Sequence, residues 1–130
     1  VTSGPRLPAE VLALVHGPVA TMAHVEALLL VFERAPAPVA SAEIAARAQL
    51  PAPARVLRTM EELAAAGLVA ADAGGGYRFA PRSPALHDAV RALARAYNEK
   101  PVTLVTALYA RPSDPAQAFA DAFRLRPDET

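Results

Sequence analysis

Four sets of residues have types and spacings that invite a chemical reading: Gly74-Gly75-Gly76, the histidines His16, His24 and His87, the adjacent acids Glu61-Glu62, and a scatter of mid-chain arginines. The first three lose their chemical reading on spacing. A phosphate loop continues from its glycines into Lys-Ser/Thr and the start of a helix. Here Tyr77-Arg78-Phe79 follows, a strand pattern, so the glycines read as a tight turn. His16 and His24 are separated by Gly17-Pro18 and His87 lies far along the chain, so no His-Glu-x-x-His or comparable ligand spacing exists. Glu61 and Glu62, as neighbours on a helix, point about 100° apart and do not converge on one substrate; they read as a solvated face. Ser3, Ser41, Ser83 and Ser113 fall at caps or loops with no nucleophile elbow around them, and a Ser-His-Asp set, which forms only in space, is left open by spacing. No cysteine is present, which removes disulfides, thiolate metal sites and a thiol nucleophile. Neither an enzymatic activity, a cofactor nor a metal is expected.

The chain has 130 residues, enough for one domain core. Thirteen basic and thirteen acidic residues cancel, so no net field draws in nucleic acid or anionic lipid, although a local basic face is compatible with that balance. Hydrophobic residues at 53% against 20% charged can fill a core, while 5% aromatics argue against a base-stacking platform for single strands. The thirteen prolines, with abundant alanine, look like a high-GC bacterial coding bias. The first residues do not read as a signal peptide, and the apolar run from Val25 to Phe32, broken by Glu26, falls far short of the ~20 residues that span a bilayer. A soluble cytoplasmic protein without membrane contact is the expectation.

The elements that would position the arginines can be read from caps and periodicity. Pro8 to His16 predicts a short helix stopped by Gly17, and Thr21 caps a second helix running to about Arg34, with Val25, Leu28, Leu29 and Phe32 on one stripe. Ser41 is the predicted N-cap of a short helix from Ala42 to Ala48. After the turn Gln49-Leu50-Pro51-Ala52, Pro53 opens a helix that turns Val56, Met60 and Leu63 inward, leaving Ala54, Arg55, Arg58 and Thr59 outward. Gly67 is its left-handed cap. Leu68 to Ala71 and Tyr77 to Ala80 predict a hairpin around the glycines. Ser83-Pro84 starts a longer helix to about Glu99 in which Leu86, Val90, Leu93 and Tyr97 form a seam. Val102 to Ala110 mixes β-branched residues with i, i+4 pairs, and the pairs favour a helix. Asp114-Pro115 opens a last helix with Phe119 and Phe123 one turn apart.

The order helix, turn, helix, hairpin, carried by AEIAARAQLPAPARVLRTMEELAAAGLV and then GGGYRFAP, resembles the winged helix-turn-helix family of bacterial transcription regulators over about Val25 to Pro81. The resemblance implies a mostly α fold with a two-stranded β-hairpin wing, residues 1–83 forming the winged domain; the periodic helices that follow, residues 84–130, read as a helical C-terminal extension. It also implies a duplex-DNA-binding regulator in which the helix 53–66 enters the major groove and the wing 68–80 lies alongside. Arg55, Arg58 and Thr59 would then face base edges, with each arginine fork able to take guanine O6 and N7. Arg47, Arg78 and Arg82 would hold phosphates.

The apolar stripe Leu86, Val90, Leu93 and Tyr97, with Phe119 and Phe123, is more than a small winged core needs. That surplus points to a homodimer or to a protein partner docked on the extension. The rival reading is a winged helix that has become a protein-interaction module without DNA binding, favoured by zero net charge, by Glu43, Glu61 and Glu62 near the arginines, and by Pro51 and Pro53 in the turn.

Overall fold

The structure is a computed structural model and describes residues 7–110. It is mostly helical, with one two-stranded antiparallel sheet: α1 (Ala9–Val15), α2 (Met22–Arg34), α3 (Ser41–Ala48), α4 (Pro53–Ala65), β1 (Val69–Ala71), β2 (Tyr77–Phe79), α5 (Pro84–Glu99) and α6 (Pro101–Tyr109). Local chemistry sets most of the boundaries. Thr21 caps α2, its Oγ1 accepting the His24 N–H at 3.2 Å, and Ser83 caps α5 by accepting from Leu86 at 3.2 Å. Pro53, Pro84 and Pro101 each stand in a first turn, where the missing N–H costs nothing. At the end of α4, the Leu68 N–H reaches the Leu63 carbonyl at 3.1 Å and the Gly67 N–H reaches Ala64 at 2.9 Å; Gly67 at φ +81° makes this paired closure possible.

One boundary departs from the sequence reading. Ser41 does not cap α3; it is the first helical residue, and Ala40 precedes it without any side-chain cap. The cause lies 36 positions away, where Val39 exchanges two backbone hydrogen bonds with Tyr77, at 2.7 and 2.9 Å. That pairing holds the chain extended up to Ala40, so the tertiary contact starts the helix in place of a cap.

α2 is the central element. His24, Val25, Ala27, Leu28, Leu29, Leu30 and Val31 are all buried, and the helix touches α3, α4, α5 and β2. The hairpin packs on it through β2, and the antiparallel register of β1 with β2 sets Val69 opposite Phe79 and Ala71 opposite Tyr77. Phe79 stands edge-on to Phe32, with ring centroids 5.2 Å apart. The Val39 pairing makes Gly76 critical. Gly76 has φ +79°, and a Cβ there would lie 2.3 Å from the Val39 carbonyl oxygen. At Gly75, φ is +102° but nothing stands within 4 Å. Alanine at Gly76 therefore costs at least about 2 kcal/mol, the left-handed penalty plus a backbone collision, while alanine at Gly75 costs about 1–2 kcal/mol. Urea unfolding of the two variants compares them directly, and equal losses would contradict the collision.

The stripe on α5 is committed inside the molecule. Leu86, Val90 and Leu93 are 5%, 0% and 0% exposed, packed in the same core as α1, α2 and α6. The expectation that they form a seam for a second copy is therefore corrected. The short N-terminal helix and α6 supply the cover that the sequence reading left open, and His16 Nε2 lies 3.0 Å from the Ala107 carbonyl across that junction. Tyr97, at the end of the stripe, is half-buried and donates its hydroxyl to Glu26 Oε2 at 2.5 Å; the neighbouring carboxylate and burial hold its phenol above the usual range. The segment from Val102 is helical through Tyr109, as its i, i+4 pairs predict, with Ala110 as the cap, Leu104 and Leu108 buried and Val102 and Tyr109 exposed. Phe119 and Phe123 lie outside the described residues.

Candidate nucleic-acid interface

α3 and α4 touch each other across the turn at residues 49–52, and α2 backs α4 from within. Val56, Met60 and Leu63 point into the core at 3%, 0% and 0% exposure, which fixes the opposite face of α4 outward. Ala54, Arg55, Leu57, Arg58 and Glu61 occupy that face.

The six residues expected to meet a nucleic acid divide by their partners. Among the described residues Arg55 has no ion pair and is exposed. Arg58 has 82% of its side chain in solvent and uses only its Nε, donating to Glu62 Oε2 at 3.4 Å, so its two terminal nitrogens project free. Arg47 stands 3.7 Å from Glu33, and the neighbouring Arg34 pairs with Glu43. The Arg34 hydrogen bond holds the Glu43 carboxyl below its ordinary value. Arg78 lies 3.7 Å from Asp72 and donates to the Ala71 carbonyl at 3.3 Å. Arg82 reaches back to the Ala65 carbonyl at 3.5 Å, at the far end of α4 from Arg55. Of the five arginines in this set, Arg47 and Arg78 thus stand beside carboxylates and Arg82 on a backbone carbonyl, while Arg55 and the terminal nitrogens of Arg58 are left open at the front of α4.

Thr59 is the correction within this set. It is 7% exposed and faces inward. Its position explains this: Thr59 follows Val56 by three and precedes Leu63 by four, so it belongs to the buried stripe whatever its polarity.

Beneath the arginines lies a polar chain that spacing alone did not reveal. His24, 7% exposed, sets its Nδ1 2.8 Å from Thr21 Oγ1 and its Nε2 2.7 Å from Glu62 Oε1. With Glu62 ionised, Nε2–H donates to it, and the Thr21 hydroxyl serves Nδ1 as donor when the ring is neutral or acceptor when it is charged. Glu62 is thus more than a solvated acid, since it ties α4 to the start of α2. The histidine hydrogen bond, with a smaller contribution from Arg58, holds its carboxyl below the ordinary value of 4.5 against partial burial. A depressed folded value means stability present above the unfolded value and lost as pH falls through the folded one. Glu62→Gln should therefore be less stable than wild type at neutral pH, with the gap closing in acid below 4.5. Denaturation across that range checks it, and a gap that widens in acid would contradict the assignment. The detectable sequence signal was His24 three residues after a capping threonine inside an otherwise apolar helix start; the partnership with a residue 38 positions away had none.

Two hollows flank the front of α4. One, of about 370 Å³, is apolar and runs between α3, the turn and the hairpin, with Leu50, Pro51, Pro53, Leu57 and Tyr77 on its walls. The other, of about 480 Å³, opens between the start of α2 and α4, lined by Thr21, Ala23, Arg55, Arg58, Thr59 and Glu62 with His24 and Leu50. No group of acidic or histidine residues able to hold a metal ion occurs among the described residues, and none of their helices is long and apolar enough to cross a membrane. Comparison with protein-family models, curated proteins and solved structures returns no match to this chain.

Proposed function

We propose that this protein is a winged helix-turn-helix module that binds duplex DNA, with the front of α4 in the major groove and the β1–β2 hairpin as the wing. The order α2, Val39 bridge, α3, α4, β1, β2 supports the winged reading, with Val39 standing for a third strand reduced to one residue. One observation carries the DNA reading: Arg55 and the terminal nitrogens of Arg58 project from the first turns of α4 with no carboxylate occupying them. A guanidinium so placed offers two parallel donors to guanine O6 and N7. The inward Thr59 has no part in base reading, and Arg47 and Arg78 reach phosphates only by leaving their acidic partners.

That partition lowers the expected electrostatic share. With two to four phosphates neutralised, the slope of log K against log salt is about −2 to −4. Fluorescence anisotropy of a labelled duplex over a salt series measures it, and a flat slope counts against the reading. The proposal does not depend on a second copy of the chain.

A second reading is favoured by a specific feature, the apolar hollow beside α4 and Leu57, 49% exposed, on its rim. An amphipathic segment of a partner protein fits such a groove through anchors one turn apart. Leu57→Asp separates the two: it removes partner binding on this reading and leaves duplex binding to Arg58.

A further inference from the structure

The hollow between the start of α2 and the front of α4 is walled by hydrogen-bond donors. The Ala23 N–H, in the first turn of a 13-residue helix and on a residue that lines the hollow, has no intrahelical acceptor. Thr59, 7% exposed, lines the same hollow and its hydroxyl bonds to nothing among the described residues. No buried side-chain oxygen or nitrogen among them is sealed without a partner, so the Thr59 oxygen opens on that space. Arg55, also on the wall, has no counter-ion there. The one carboxylate present, Glu62, is engaged at both oxygens, by His24 and by Arg58. An amide, a hydroxyl and a guanidinium on the walls of one space form a donor set for a group that only accepts, and the helix start adds a fractional positive charge.

We propose that this hollow is a phosphate-group site, in which the Ala23 amide, the Thr59 hydroxyl and Arg55 hold the phosphate oxygens. Phosphate of this chemistry comes from two sources, the backbone of a duplex or a free phosphate, inorganic or monoester. The duplex source rests on the DNA reading above; the free source does not. The assignment gives Arg55 to a phosphate and leaves Arg58 as the arginine free to reach a base edge.

The test is an amide-resolved NMR titration of the full chain with inorganic phosphate, with chloride at equal ionic strength, and with a short duplex. Phosphate should move the Ala23 amide saturably where chloride does not. Arg55→Gln should weaken that binding about tenfold and Thr59→Val about threefold or more, each variant keeping the wild-type dispersion of a folded protein. A shift at that amide from duplex but not from free phosphate supports the site and assigns it to the backbone. Shifts from free phosphate with no duplex binding support the site and defeat the DNA reading. Duplex binding with shifts confined to α4 and the hairpin, and phosphate acting no differently from chloride, overturns the site and leaves the DNA reading intact. No saturable shift from either source overturns it as well.

Discussion

Alanine at Arg58 is expected to weaken binding to the preferred duplex by about 1–3 kcal/mol, roughly 5- to 150-fold, and to relax discrimination at one base position. The expectation follows from how the side chain is held. Glu62 meets only the Nε end, at 3.4 Å, and leaves the terminal fork in solvent, where its two parallel donors match guanine O6 and N7. Arg47→Ala should behave differently. Its guanidinium faces Glu33, so its removal shifts affinity slightly and evenly over all sequences. Anisotropy titrations on the preferred duplex and its single-base variants separate the two patterns. An even loss across sequences from Arg58→Ala would make that residue a phosphate contact and leave base reading without its main side chain.

The second large effect concerns α5. Leu93→Ala removes a side chain that is fully buried against its own molecule, and the cavity left behind costs about 2–5 kcal/mol. Against a typical total of about 5–15 kcal/mol, that brings the fold near its margin. The destabilisation should be independent of protein concentration, since Leu93 packs with α1, α2 and α6 of the same chain. Urea unfolding at two well-separated concentrations reads this. A loss that grows on dilution would return Leu93 to an interface between copies.

What could be read in the sequence follows from how local each cause is. Thr21, Ser83, Pro53 and Gly67 set helix ends through atoms within a few residues, and each acts at the position its type predicts. The hairpin followed from glycines beside alternating residues. Ser41 misled because the start of α3 is set by Val39 pairing with Tyr77, a contact that no local pattern encodes. Leu86, Val90 and Leu93 showed a stripe that must be covered, yet a stripe does not say by what; the cover is α1, more than seventy positions earlier, together with α6.

The candidate site was legible in the same uneven way. Arg55 and Arg58 could be placed outward because Val56, Met60 and Leu63 had to go in. Thr59, expected outward beside them, lies on the inner stripe instead, since a hydroxyl tolerates that stripe where an open hollow meets it. The pairings of Arg47 with Glu33 and Arg78 with Asp72, and the Thr21–His24–Glu62 chain, are facts of tertiary placement. These pairings decide how much positive charge the surface presents, and so they carry more of the functional argument than net charge does.

The most direct measurement is an unbiased selection of duplexes bound by the full chain from a random-sequence pool at low salt, repeated with Arg58→Ala. Recurrent enrichment of one short motif by the wild type, blurred at a guanine position by the variant, is the result predicted here. A bound pool indistinguishable from the input would contradict DNA recognition by α4 and leave the apolar hollow beside Leu57 as the working surface.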